Sequence, residues 1–95
     1  MTKADLVSEI SSSTGIDKAN VLAIVEALML SVSASLESGE GVFLRGFGSF
    51  VVKKRAEKVG RNISKGISIT IPAHNVPSFK PADEFMEGVK ANVKL

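Results

Sequence analysis

The sequence predicts an α+β fold in which two helices precede a short antiparallel sheet and a third helix follows it. Residues 3–14 and 18–37 have helix-start residues in front of them and apolar side chains at helical spacing. Residues 49–57 and 67–71 alternate between apolar and polar side chains, as strands do. A polar, glycine-containing segment joins these two strands. They therefore form a long hairpin whose outer half protrudes as a two-stranded β-arm.

Ninety-five residues are enough for one domain. We divide it into a two-helix dimerisation body (1–40), a sheet with its arm (41–80, the arm at about 53–70), and a C-terminal helix and tail (81–95). The absence of cysteine excludes disulfides and thiolate metal sites. The apolar run 21–36 is interrupted by Glu26 and three serines, which argues against a signal peptide and a membrane span. We expect a soluble intracellular protein without metal or cofactor.

The first two helices have recognisable ends. Thr2 is a predicted N-cap, and Asp5 three residues later completes a variant of the capping box. Gly15 suits the left-handed position just after the first helix. Asp17 is the predicted N-cap of the second helix, which stops at Ser38-Gly39.

The second helix is apolar on nearly every side, and such a helix must be covered nearly all round. A chain this short has little material for that. We therefore expect a homodimer, or a heterodimer with a close relative; a helix enclosed within a monomer is the alternative. The predicted dimer core comprises three residues of this helix and three phenylalanines: Leu28, Val32, Leu36, Phe47, Phe50 and Phe79.

Three short strands are predicted after the helices, beginning with residues 42–44. Strand 49–57 places Lys53 and Arg55 on one face, because side chains alternate along a strand. Residues 59–66 form a predicted loop at the arm tip, and strand 67–71 returns from it.

The last part of the chain is rich in proline. Residues 74–77 are predicted as a bend and 78–80 as a last short strand. Pro81 is placed in the first turn of the third helix. All five phenylalanines lie in segments with an apolar pattern, which argues against their stacking on bases.

Charge is strongly segregated although the net charge is only +2. Residues 1–44 carry two cations against six acids, whereas residues 45–80 carry eight cations against one acid. A basic surface of this kind indicates a nucleic acid or anionic membrane partner. A solvated strand surface without a partner is the alternative.

Several motifs resemble the bacterial HU / integration host factor family of DNA-bending proteins. They are Gly46-Phe47-Gly48-Ser49-Phe50, Arg55, Gly60-Arg61-Asn62 and Ile69-Thr70-Ile71-Pro72-Ala73. The resemblance extends from residue 1 to about residue 89. It implies an intertwined dimer with a helical base, whose two β-arms enter the minor groove of duplex DNA and bend it in the bacterial nucleoid.

The resemblance also implies the DNA-binding residues. On the arm these are Arg55, Lys58, Arg61, Asn62, Ile63 and Lys65; in the saddle between the arms, Lys53 and Lys80; on the body, Lys3 and Lys18. Ile63 replaces the proline that wedges between base pairs in relatives, and isoleucine is also a wedge residue. The acidic third helix, with Asp83, Glu84 and Glu87, is expected to weaken contacts with flanking DNA.

Other functions have less support in the sequence. His74 is the single histidine, and no nucleophile motif, paired carboxylates or phosphate loop accompanies it, so we do not expect an enzyme. A site-preferring bending subunit remains an alternative. So does a dimeric protein-interaction module that coats RNA or DNA as a side activity. Nicked or junction DNA would be favoured by a protein that bends its ligand.

Overall fold

The computed structural model describes residues 1–62 and 66–95, with the side chains of Arg61 and Asn62 left undescribed. Its helices are α1 (Lys3–Thr14), α2 (Lys18–Glu37) and α3 (Asp83–Asn92). Its strands are β1 (Val42–Leu44), β2 (Gly48–Arg55), β3 (Lys58–Asn62), β4 (Ile67–Ile71) and β5 (His74–Pro81). This order confirms the predicted α+β class. The chain forms two compact units, Met1–Ser35 and Leu36–Leu95, which we describe separately.

The first unit begins with the predicted capping box. The Asp5 amide donates to the Thr2 hydroxyl at 3.3 Å, and the Thr2 amide donates to the Asp5 carboxylate at 2.9 Å. The backbone hydrogen bond from Thr2, followed by that from its side chain, lowers the pKa of the Asp5 carboxyl. Gly15 closes α1 at φ 77° and donates its amide to the Ser11 carbonyl at 2.9 Å. Both predicted ends of α1 are therefore confirmed.

Helix α2 has the predicted bounds, but the single chain does not bury it. Val21, at 2% exposure, is its one fully buried residue. Leu28 is 54% exposed, and Leu30 is 70% exposed. Among the described residues, α2 is also the one helix long and apolar enough to cross a membrane, a test that core helices of soluble proteins pass as well. Much of α2 is therefore exposed in the described structure, and its burial by a partner chain stays a prediction.

The second unit contains two antiparallel sheets. A three-stranded sheet has the order β1-β2-β5, and its central strand pairs Phe50 with Val42 on one side and with Phe79 on the other. A two-stranded sheet pairs β3 with β4, with Gly60 opposite Ile69. The turn between β1 and β2 uses Gly46 at φ 81°, a conformation that glycine adopts without strain.

The core of this unit is a cluster of four aromatic rings. The Phe79 ring lies 4.9 Å from Phe50 and 5.3 Å from Phe47, between ring centroids. Phe85 of α3 stacks on Phe47 at 5.3 Å. The cluster is only partly covered, since Phe47 remains 46% exposed. The placement of these rings in a dimer core stays a prediction.

Three details of the arm and sheet differ from the prediction. Strand 49–57 stops at Arg55, and a new strand starts at Lys58. Residues 59–62, predicted as tip loop, belong to β3. Residues 74–77, predicted as a bend, are paired along β2, with Pro77 opposite Val52. Because β5 is an edge strand, a proline without an amide hydrogen can be accommodated there.

The start of the third helix is also corrected. Pro81 is the last residue of β5, opposite Gly48, and not part of the helix. Ala82 is the N-cap of α3 in an extended conformation, and its amide donates to the Phe47 carbonyl at 2.8 Å. Pairing with β2 therefore holds the chain extended up to this point.

Candidate nucleic-acid interface

The three-stranded sheet has two chemically different faces. Side chains alternate along β2, and directly paired residues of antiparallel strands lie on the same face. One face carries Phe50 and Phe79 and belongs to the aromatic cluster. We call the opposite side the cationic face; its residues are Phe43, Ser49, Val51, Lys53, Arg55, His74, Val76, Ser78 and Lys80.

The cationic face brings together three of the cations that the sequence singled out. Lys53 and Arg55 share this face of β2, as their spacing predicted, and both are exposed. Lys80 joins them from β5 through its pairing with Ser49. Lys54 points to the other side of the sheet by the same alternation. In the described part of the chain, neither Lys53, Arg55 nor Lys80 is engaged in an ion pair. All three charges are therefore available to an anionic partner.

The arm carries the next group of predicted contacts. Lys58 opens β3 opposite Ile71 and is exposed. The backbones of Arg61 and Asn62 pair with Ser68 and Ile67 in the two-stranded sheet. Their side chains, and the residues Ile63 and Lys65, lie outside the described part of the structure. The roles assigned to these four residues stay predictions.

The two body lysines lie in the first unit. The Lys3 ammonium is 3.1 Å from the Glu26 carboxylate, and both side chains are about half exposed. Exposed pairs of this kind contribute little to stability, so the contact leaves Lys3 available to exchange Glu26 for another anion. Lys18 is the exposed first residue of α2. A contact of either lysine with DNA stays a prediction.

Sequence reasoning missed Phe43. The apolar pattern around it groups it with the other phenylalanines, yet it lies on the cationic face and is 73% exposed. In the structure, Val42 and Leu44 on either side of Phe43 turn towards the opposite face. A residue between two inward-facing neighbours of a strand must face outward.

His74 lies at the base of the arm, opposite Arg55. Its Nδ1 hydrogen is donated to the Pro72 carbonyl at 2.9 Å, and the ring is exposed. Within residues 1–62 and 66–95, no group of three or more histidine and acidic residues is placed to hold a metal ion. The described hydrogen bond of the His74 ring is therefore with the backbone that joins β4 to β5.

Comparison with known proteins bears directly on this face. A family model described as bacterial DNA-binding protein matches residues 1–90. The chain belongs to the HU family of bacterial DNA-binding proteins. A prophage-derived DNA-binding protein HU 2 of Bacillus subtilis is 40% identical over 91 residues, which is 96% of this chain and 99% of the relative. DNA-binding protein HU of Thermus thermophilus is 41% identical over 95% of this chain and 93% of its own length.

The fold agrees with membership of the HU family. A cocrystal structure of Anabaena HU with DNA superimposes with a TM-score of 0.90 at 32% identity. The match covers 94% of this chain and 97% of the Anabaena chain. The HU fold therefore accounts for nearly the whole length of the present chain.

Proposed function

We propose that this chain is an architectural DNA-binding protein of the bacterial nucleoid, which as a dimer holds duplex DNA between two β-arms and bends it with little sequence specificity. The observation that carries the proposal is the exposed cationic face, where Lys53, Arg55 and Lys80 share one side of the sheet and none has an ion-pair partner among the described residues. The Bacillus subtilis relative is named as a DNA-binding protein, and Anabaena HU was crystallised with DNA. Both facts support DNA as the ligand of the present chain.

The cationic face supplies affinity without sequence information. Lysine and arginine displace the counterions condensed on DNA phosphates, which gives binding that weakens steeply with salt. A two-stranded ribbon such as β3-β4 would contact the minor groove, where base pairs present a degenerate pattern. Affinity then depends more on how easily the DNA deforms than on its bases.

Bending requires a further element at the arm tip. We assign it to Ile63, which would wedge between base pairs as apolar side chains do in other minor-groove proteins. Unstacking costs a few kcal/mol for each step, and the bend recovers this by bringing more DNA onto the protein. Two arms in a dimer would make two kinks.

The proposal is tested with a duplex of roughly three to four helical turns that carries a fluorophore at each end. Affinity and end-to-end energy transfer are measured together at low and moderate salt. We expect binding, rising transfer and a steep loss of affinity with salt. Binding without a change in transfer would reject the bending mechanism. Absence of binding at low salt would reject the DNA-binding function.

The Ile63→Ala variant separates bending from binding. If Ile63 is the wedge, the variant should lower energy transfer in the bound state more than it lowers affinity, because the phosphate contacts are untouched. Ser68→Ala, a truncation elsewhere on the arm, is the matched control. Equal transfer in Ile63→Ala and wild type would rule the wedge out.

A further inference from the structure

A cleft of about 310 Å³ lies on the second unit where the turn between β1 and β2 approaches the end of β5. Its lining residues include Phe43, Arg45, Ser49 and Lys80, together with Gly46 and Gly48. Its volume is at the lower end of ligand sites, which run from about 300 to 1,000 Å³. The cleft is therefore large enough to hold a single nucleobase.

The Phe43 ring forms the apolar wall of the cleft. It takes no part in the aromatic cluster around Phe79 and is 73% exposed. One edge of the ring rests on the backbone at Gly41, where an added Cβ would lie 3.2 Å from the ring Cζ. The absence of a side chain at Gly41 thus lets the ring lie against the main chain while most of its surface stays open.

Cations flank this ring. Phe43 is paired across the sheet with Ser49, and Ser49 with Lys80, so aromatic ring, hydroxyl and ammonium form one row on the cationic face. Arg45 follows β1 and lies at the same cleft. An exposed aromatic ring beside lysine and arginine is the composition of sites that stack unpaired bases and hold their phosphates. Paired bases in an intact duplex have no free face to offer such a ring.

We propose that this cleft binds one unpaired base of distorted DNA, with the base stacked on Phe43 and the adjoining phosphates held by Arg45 and Lys80. The site rests on the proposed DNA-binding function and adds a contact that intact duplex does not make. The Glu84 carboxylate lies 3.3 Å from the Cβ position of Gly46, at the turn between β1 and β2. Its negative charge disfavours phosphates beside Gly46, and the ammonium of Lys80 favours them at the end of β5.

A second copy of the chain is the competing occupant of the cleft. Contact between two cationic faces would bring charges of the same sign together, which disfavours that pairing, whereas the acidic residues 1–44 of a second copy have the opposite charge. Nucleic acid has the complementary charge. The experiments that follow distinguish binding of a second copy from binding of DNA.

The first experiment uses the Phe43→Trp variant. The chain contains no tryptophan or tyrosine, so this variant reports from the cleft alone. Three duplexes are compared: one with a single extrahelical base, one with an abasic residue at the same bulge, and one fully paired. We expect tryptophan quenching with the extrahelical base and little with the abasic bulge, which has the same distortion and phosphates. Val93→Trp, at an exposed position after α3, is the matched fluorescence control.

The second experiment measures affinity for the same duplexes with wild type and Phe43→Ala, after circular dichroism has established equal folding. Stacking predicts that wild type prefers the extrahelical base over the abasic bulge by about tenfold, and that Phe43→Ala loses this preference. A preference unchanged in Phe43→Ala would overturn the site while leaving the DNA-binding function intact. Loss of binding to all three duplexes by wild type would instead overturn that function. Quenching of Phe43→Trp by added protein without DNA would assign the cleft to a second copy and overturn the site.

Discussion

At the scale of single residues, Gly48 is the glycine with the least room for a side chain. It is buried in β2, and an added Cβ would lie 2.5 Å from the Lys80 carbonyl oxygen and 2.6 Å from the Phe79 ring. We expect Gly48→Ala to lower the free energy of unfolding by about 1–3 kcal/mol, because strand and ring must both shift. Urea denaturation at one fixed protein concentration measures the change in the free energy of unfolding.

Gly88 provides a control, because alanine there should change the free energy of unfolding in the opposite direction. It lies inside α3, and an added Cβ there would meet nothing within 4 Å. Gly88→Ala should raise the free energy of unfolding by about 0.4–1 kcal/mol, since alanine restricts the unfolded chain and favours the helix. If both alanine variants changed stability in the same direction, the steric explanation at Gly48 would be wrong.

Asp5 makes stability depend on pH. Its hydrogen bonds with Thr2 lower the pKa of the carboxyl from the ordinary value of 3.8. A depressed pKa stabilises the fold above that value, and this contribution is lost as pH falls through the folded pKa. Asp5→Asn should therefore lower the melting temperature at neutral pH and approach wild type in acid. Glu9→Gln, which removes an exposed charge from the same helix, is the control. The stabilising role of the Asp5 hydrogen bonds would be contradicted if the difference in melting temperature between wild type and Asp5→Asn did not narrow in acid.

At the scale of elements, the helices could be predicted because their ends are encoded locally. The capping box at Thr2 and the left-handed Gly15 act within a few residues of the helix they limit. The extent of β5 could not be predicted in this way. Pro77 is a strand breaker by composition, and only the position of β5 at the sheet edge makes it acceptable.

In the candidate site, too, local features could be predicted from the sequence, and features that depend on strand pairing could not. Lys53 and Arg55 can be placed on one face by alternation alone, which is a local property of the strand. The arrival of Lys80 on that face depends on the pairing of β5 with β2, which the sequence does not display. Phe43 could not be placed in the same way, because a three-residue strand is too short to show its alternation as a pattern.

The two faces of β2 provide a sharp test of the interface. Lys53→Ala should weaken duplex binding and reduce the dependence of log affinity on log salt by about one unit for each phosphate that the protein no longer neutralises. Lys54→Ala is the matched control, because it removes the same charge from the adjacent residue on the opposite face. Salt dependences measured by fluorescence anisotropy should separate the two variants. Equal slopes for both would mean that the cationic face does not meet the phosphates.

At the scale of the whole molecule, the unsatisfied surface of α2 is the dominant feature. Val7 and Val21 are the only fully buried apolar residues in the described part of the chain, whereas Ile24, Leu28 and Leu30 are all more than half exposed. A chain of this size cannot be stable with so small a core. We propose that association through α2 completes this core, and a dimer formed in this way would carry two β-arms.

Leu28→Asp tests whether folding and association through α2 are one process. A carboxylate at this position would have to be buried without a partner in the dimer, which is strongly unfavourable. We expect an unfolded chain and not a folded monomer, because the single chain has only a small core. Circular dichroism and sedimentation measure helix content and mass together, and the melting temperature of wild type should rise with protein concentration. Asn20→Asp adds a carboxylate near the start of the same helix, where negative charge is favourable, and should leave both properties unchanged. A helical Leu28→Asp monomer would show that the chain folds before it associates, and the arms would then act singly.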